Sequence, residues 1–105
     1  MDKNNIISEI KRLSNVLDKK YDNELDFRNH CYLRIAFDVT INEKWDNKVT
    51  KPFVKYATII QLKNVLTLLN RYITDKDSLL TDNQKSLMFR EKSKELQILN
   101  NPKLF

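Results

Sequence analysis

The 105-residue sequence contains no glycine. Glycine adopts positive φ without steric cost and lets a backbone approach a ligand closely. The Walker A loop, the dinucleotide-binding fingerprint and the nucleophile elbow of α/β-hydrolases all depend on it, so this chain cannot build them. The sequence thereby excludes the common phosphate-binding and hydrolase devices. We expect the outer surface of the protein, rather than a ligand cleft, to carry its function.

The composition predicts one small folded domain that spans residues 1–105. Apolar residues make up 41% of the chain, which is enough for one modest core. Cys31 is the single cysteine, so no intramolecular disulfide can form; this fits a reducing compartment and predicts a cytoplasmic protein. No stretch approaches the ~18 uninterrupted apolar residues of a membrane helix, so no membrane partner is expected. The net charge of +5 is compatible with an anionic partner.

Two segments carry clear helical patterns. In residues 4–21 the apolar side chains recur at the spacing of one helical face, at Ile6, Ile10, Leu13 and Leu17. Thr58 lies three residues before Gln61, which is the spacing of a capping box, and an apolar stripe follows. These patterns predict one amphipathic helix over residues 4–21 and another from Thr58 to about Thr74.

The segment from Asn23 to Trp45 is predicted to be a central, buried helix. Asn23 can cap its start, and apolar residues cover most of its circumference, as in a helix that is enclosed by others. A short strand over Tyr32–Phe37 is the competing interpretation, because short apolar runs are ambiguous. The long segment without helix-breaking residues favours the helix.

The remaining segments are less regular. Pro52 lacks the donor that a helix interior needs, so residues 46–57 are predicted to form an irregular connection. Thr81 and Gln84 repeat the capping-box spacing and predict a last helix that reaches residues 93–96, followed by an irregular tail that is docked or bound by a partner. The predicted fold is an all-α bundle of about four helices.

Three polar residues form a line along the predicted central helix: His30, Arg34 and Asp38 fall at i, i+4 and i+8. One hypothesis is a binding stripe in which Arg34 grips an anionic group, and an active site built on this line is a further hypothesis. The alternative is a solvent-facing edge or a satisfied polar network inside the bundle. Because His30 and Cys31 diverge by about 100° on a helix, they do not predict a catalytic pair. One histidine and one cysteine cannot form a structural zinc site, so no metal or cofactor is predicted.

The segment of residues 44–56 combines basic and aromatic side chains. Its candidate binding residues are Lys44, Trp45, Lys48, Lys51, Phe53, Lys55 and Tyr56. Lysines can neutralise phosphates and aromatic rings can stack on bases, while tryptophan and tyrosine are also common anchors of protein interfaces. The alternative is that the aromatic rings pin the loop to the core and the lysines are solvated.

A second basic segment covers residues 85–103. Its basic residues are Lys85, Arg90, Lys92, Lys94 and Lys103. If the two segments meet in space, they would form one basic patch; the sequence leaves this open. We therefore predict a non-enzymatic binding or regulatory module that acts through a protein partner or through self-association. The alternative is an RNA- or DNA-binding protein that uses both lysine-rich segments.

Overall fold

The computed structural model describes the backbone of residues 2–100 and the side chains of residues 2–96. Within these residues the chain forms five α-helices and one 3₁₀ turn, and no β-strand. The α-helices are α1 (Lys3–Lys20), α2 (Asn29–Ile41), α3 (Phe53–Tyr56), α4 (Ile59–Thr74) and α5 (Lys76–Asn100), and the 3₁₀ turn is Trp45–Asn47. The predicted all-α bundle is confirmed, with one short helix more than the four expected.

Helices α1 and α4 lie side by side and run in the same direction. At one end Lys3 Nζ donates a hydrogen bond of 2.8 Å to the carbonyl of Lys55, just before α4. At the other end Tyr21 Oη donates one of 2.7 Å to the carbonyl of Tyr72. The side chains that these helices bury are almost all apolar: Ile6, Ile10, Leu13 and Leu17 of α1, and Leu62, Val65 and Leu69 of α4. The predicted stripes therefore form much of the core, to which α2 adds Tyr32, Ile35, Ala36 and Phe37.

Helix α2 is the central helix, since it packs against α1, α4 and α5. The predicted start at Asn23 is wrong, because α2 begins at Asn29, after a turn over residues 21–24 and an irregular stretch over residues 25–28. In that stretch Phe27 lies edge-on against Tyr32, with ring centroids 5.7 Å apart. The strand alternative over Tyr32–Phe37 is also wrong. The helix ends before Trp45 because Asn42 adopts the left-handed conformation, with φ of 66°, which asparagine tolerates better than most residues.

The connection over residues 46–57 is more ordered than predicted. It begins within the 3₁₀ turn and ends with the short helix α3, to which Pro52 is the N-cap. A proline at a helix start sacrifices no intrahelical hydrogen bond, because the first amides of a helix have no partner within it. The short helix α3 lies within the connection that was predicted to be irregular.

Helix α4 begins as predicted. Gln61 N donates to Thr58 Oγ1 at 3.1 Å, and Thr58 N donates to Gln61 Oε1 at 2.8 Å, so both halves of the capping box are formed. The expected box at Thr81 is not formed, because α5 begins five residues earlier and Thr81 lies inside it. The capping residue of α5 is Asp75, whose carboxylate accepts hydrogen bonds from the hydroxyl and the amide of Ser78; these bonds lower the pKa of Asp75.

Helix α5 packs on α2 and α4 through a mostly polar face. Among its side chains up to residue 96, Leu79 is the single apolar residue in the buried core. The other buried α5 side chains are Asp82, Ser86 and Ser93. The helix also runs to Asn100, beyond the predicted end at residues 93–96. The tail was expected to dock on the bundle or to be bound by a partner, but its side chains after residue 96 lie outside the described residues. Lys103 lies outside them too.

Candidate binding surfaces

A buried ion pair joins α2 to α5. Asp38 has no exposed surface, and Arg90 binds its carboxylate with two hydrogen bonds, from Nε at 2.8 Å and from Nη2 at 3.2 Å. Ser86 Oγ donates to the same carboxylate at 2.6 Å, and the backbone amide of Trp45 donates at 3.0 Å. Four donors therefore satisfy the two carboxylate oxygens, as a buried charge requires. These contacts indicate that Asp38 has a structural role and is not a reactive group.

The other members of the predicted stripe do not join Asp38 in one site. Arg34 is half-buried, and its Nη2 donates to Asn83 of α5 at 2.7 Å instead of pairing with Asp38. Burial, with a smaller contribution from nearby Arg90, lowers the pKa of Arg34. His30 is exposed at the start of α2. The stripe thus runs from solvent at His30 into the α2–α5 interface at Asp38.

Two of the predicted surface aromatics pack inward. Phe53 is buried and stacks on Phe37 of α2, with ring centroids 4.0 Å apart and planes 8° from parallel. Trp45 is half-buried and meets both rings edge-on, at 5.7 Å from Phe37 and 5.5 Å from Phe53. These contacts hold the 3₁₀ turn and α3 against α2. The faces that would stack on bases are therefore largely occupied.

The other candidate residues of this segment keep exposed surface, although Lys44 is partly buried. Lys44 and Lys51 both pair with Asp46, at 3.2 and 3.5 Å. Burial alone would raise the pKa of Asp46, but the two lysines, Lys44 above all, hold it below its ordinary value. Lys48 is exposed. Lys55 and Tyr56 are exposed too, with Lys55 Nζ 5.4 Å from the centre of the Tyr56 ring.

The two basic segments meet, but among the side chains described up to residue 96 they do not form a basic patch where they meet. Asn47 Nδ2 donates to Ser93 Oγ at 3.2 Å and joins the 3₁₀ turn to α5. On α5, Arg90 is committed to Asp38, and Lys85 lies 3.9 Å from the carboxylate of Asp82. The surface beside the Asn47–Ser93 contact carries Glu43, Glu91 and Glu95 and is acidic.

An open groove of about 810 Å³ lies between α5 and the C-terminal end of α2. We call it the α2–α5 groove. Its apolar lining consists of Met88, Phe89 and Leu96, and its charged lining consists of Glu43, Glu91, Glu95 and Lys92. Three acids against one base make the groove acidic on a chain of net charge +5. Concave, partly apolar surfaces with a few charged groups are where binding sites commonly lie.

Sequence reasoning missed this groove, although one signal was present. The signal was that the apolar side chains between positions 76 and 96 do not follow one helical stripe. In the structure, α5 turns polar side chains towards the bundle and leaves large apolar ones at the surface. Of the residues that line the groove, Met88 is 69% exposed and Leu96 is 49% exposed. An isolated exposed leucine is ordinary, but several on a helix whose inner face is polar indicate a surface that a partner covers.

The chain matches no known protein family, no curated protein and no solved structure. No helix in residues 2–100 is both long and apolar enough to cross a membrane. In the part of the chain that the structure describes, no three histidine, cysteine, aspartate or glutamate side chains come together as metal ligands would. The surfaces of the protein are therefore what indicates its function.

Proposed function

We propose that this protein is a non-enzymatic interaction module that binds a cationic, amphipathic segment of a partner protein in the α2–α5 groove. The observation that carries the proposal is the acidic, partly apolar groove on an otherwise basic chain. The free thiol of Cys31 supports the reducing cytoplasm as the setting for this binding.

The apolar lining supplies a reason to bind. Met88 exposes 69% of its surface and Leu96 exposes about half. Burying an apolar side chain of this size completely, relative to leaving it fully exposed, is worth roughly 1.5–3 kcal/mol. An amphipathic helix places apolar anchors at i, i+3 or i+4 and i+7, which suits a groove beside a helix. Two or three anchors of this kind would give modest affinity after the cost of association.

The glutamates supply the preference for charge. Glu43, on the α2 side, faces the same groove as Glu91 and Glu95 on α5. Charges at the rim of an interface favour partners of opposite sign and disfavour like-charged ones. A segment that carries lysine or arginine on its polar face is therefore preferred to one that carries glutamate.

The alternative of nucleic-acid binding has less support. Phe53 and most of Trp45 are occupied in the core, Arg90 is occupied by Asp38, and the groove between the basic segments would repel phosphate. Retention on heparin that persists at high salt would revive this alternative.

The test is calorimetric titration with two helical peptides that share one apolar face. One peptide carries lysine at its polar positions and the other carries glutamate. We expect the lysine peptide to bind at least roughly tenfold more tightly, a difference of about 1.4 kcal/mol. Equal binding of the two peptides, or binding of neither, would overturn the proposal.

A pair of leucines on α5 provides the matched variants. Leu96 lines the groove, whereas Leu87 is similarly exposed but is not part of the groove lining. Leu96→Lys removes an apolar contact and adds a positive charge, so we expect it to weaken binding of the lysine peptide by at least roughly tenfold. Leu87→Lys makes the same change of charge elsewhere and should leave the affinity unchanged. Equal effects of the two variants would place the binding site outside the groove.

A further inference from the structure

A second exposed apolar surface lies at the junction of α3 and α4. It consists of Tyr56, Ile59 and Ile60, and we call it the α3–α4 corner. Ile60 is the most exposed, at 73%, while Tyr56 and Ile59 are about half exposed. The capping box of Thr58 and Gln61 fixes this corner, since it forms the first turn of α4. The corner is therefore preformed and loses little conformational freedom when it is covered.

The α3–α4 corner carries the opposite charge to the groove. Lys63 follows Ile59 and Ile60 by one helical turn, and Lys55 lies over the Tyr56 ring. Lys3 approaches from α1 and donates to the Lys55 carbonyl. The sequence has no acidic residue between Asp46 and Asp75.

The nearest acids in sequence to these lysines have other partners. Asp2, next to Lys3, accepts a hydrogen bond of 2.8 Å from the amide of Asn5 and caps α1. Asp46 is shared between Lys44 and Lys51. Asp2 keeps its own negative charge, so Lys3, Lys55 and Lys63 together with Asp2 leave the corner a net charge of +2.

We infer that the partner segment bound in the α2–α5 groove is the α3–α4 corner of a second copy of this chain. This inference rests on the proposed function, because it names the occupant of the same groove. A convex corner of one tyrosine and two isoleucines would meet a concave groove lined by Met88, Phe89 and Leu96. Three lysines on one copy would face three glutamates on the other, so both apolar burial and charge favour the contact.

The contact would be heterologous, because it joins two different surfaces of the same molecule. In such a pair one copy keeps a free corner and the other keeps a free groove, so association continues into a ring or an open chain instead of stopping at a dimer. Groove against groove, or corner against corner, would bring like charges together. We therefore expect self-association that grows with protein concentration and weakens with added salt.

The experiment is a complementation test by sedimentation velocity with two variants. Ile60→Glu disables the corner and leaves the groove intact, and Leu96→Lys does the reverse. We expect the wild-type weight-average mass to rise with concentration, each variant alone to remain a monomer, and an equal mixture to form a 1:1 dimer. A mixture that remains monomeric while the wild type associates would overturn the inference, because an interface between identical surfaces gives no rescue.

Matched controls separate charge from position. Leu87→Lys on α5 and Asn70→Glu on α4 introduce the same residue types at exposed sites away from the groove and the corner, and both should associate like the wild type. Circular dichroism of all variants checks that they fold. If either control abolishes association as fully as its partner variant, the assignment of surfaces is wrong.

The peptide titration separates this inference from the proposed function. If the lysine peptide binds the groove but the wild type stays monomeric at every concentration, the second copy is not the occupant and the proposed function stands. If neither the peptide nor a second copy binds, both fall. If the wild type stays monomeric and Ile60→Glu instead reduces binding to anionic phospholipid vesicles, the corner is a lipid-binding surface and the inference is overturned.

Discussion

The helices α4 and α5 follow one another along the chain and present opposite kinds of inner face. Helix α4 buries Leu62, Val65 and Leu69 in the core that it shares with α1. Helix α5 contributes Leu79 to that core and otherwise turns Asp82, Ser86 and Ser93 inward, among the side chains described. The first helix meets its neighbours through apolar side chains, and the second meets them largely through hydrogen bonds and one ion pair.

The difference explains where the binding surfaces lie. A helix whose polar residues face the bundle leaves its apolar residues outside, so α5 presents Met88 and Leu96 to the α2–α5 groove. Polar contacts such as Asp38–Arg90 add little net stability, because each charge loses its hydration on burial. They do require one geometry, and we propose that they fix the position of α5 and thereby the shape of the groove.

The largest expected effect tests the apolar side of this comparison. Leu69→Ala creates a cavity in the core and should lower the free energy of unfolding by about 2–5 kcal/mol. The same truncation on the outer side of α5, Leu87→Ala, should change it by no more than about 0.5 kcal/mol. Urea unfolding followed by circular dichroism measures both. Similar losses for the two variants would show that Leu87 is packed in solution.

Arg90→Ala tests the polar side. The variant leaves the Asp38 carboxylate buried with only the Ser86 and Trp45 donors, so we expect the free energy of unfolding to fall by about 2–3 kcal/mol. This is somewhat less than for a fully buried pair, because Arg90 is partly exposed. The matched control is Arg12→Ala, which breaks an exposed pair with Glu9 and should leave the urea midpoint unchanged. If Arg90→Ala is equally silent, the ion pair does not hold α5.

Two buried tyrosines sharpen the comparison. Tyr72 Oη donates to the carboxylate of Asp82 on α5 at 2.6 Å. Tyr72→Phe removes this donor from a buried oxygen, so we expect it to lower the free energy of unfolding by about 1–2 kcal/mol. Tyr32 Oη is equally buried and has no hydrogen-bond partner within the described part of the chain. Tyr32→Phe should therefore be neutral or stabilise the protein by up to about 1 kcal/mol. Urea midpoints that rank the two variants in the reverse order would contradict these hydrogen-bond assignments.

The smallest effect is a dependence on alkaline pH. Burial above all, with nearby Asp18, raises the pKa of Tyr32 to about 12, and burial also raises the pKa of Tyr21 and Tyr72. Because the folded-state pKa lies above the unfolded value of about 10, this stabilisation is complete below pH 10 and is lost as the pH rises through the folded pKa. We expect the urea midpoint to fall between about pH 10 and 12, and to fall less steeply for Tyr32→Phe. An unchanged slope would show that Tyr32 is not a source of this dependence.

The parts of the fold that the sequence predicted correctly are those that local pattern determines. The stripe from Ile6 to Leu17 and the capping box at Thr58 each place their information within a few residues. The start of α5 was missed because Asp75 and Ser78 form a cap that competes with the pattern at Thr81. The sequence near these residues did not show that Asp75, and not Thr81, would be the N-cap of α5.

The surfaces were less predictable because they depend on residues far apart in the chain. Asp38 was assigned to a stripe with Arg34, but its partner is Arg90, 52 residues away. Phe53 and Trp45 were candidate binding residues because they are aromatic and lie among lysines, yet Phe37 of α2 determines that they pack inward. The groove combines the end of α2 with the middle of α5, and no short pattern reports such a combination.

Native-state hydrogen exchange of the wild type and of Leu69→Ala tests most directly whether α5 is a unit held apart from the apolar core. The account predicts that α5 amides exchange faster than those of α1 and α4 in the wild type, through an opening that leaves the α1–α4 core intact. Leu69→Ala should then accelerate exchange in α1 and α4 and leave α5 unchanged. Equal protection of α5 and α4 in the wild type, with equal acceleration in the variant, would contradict it.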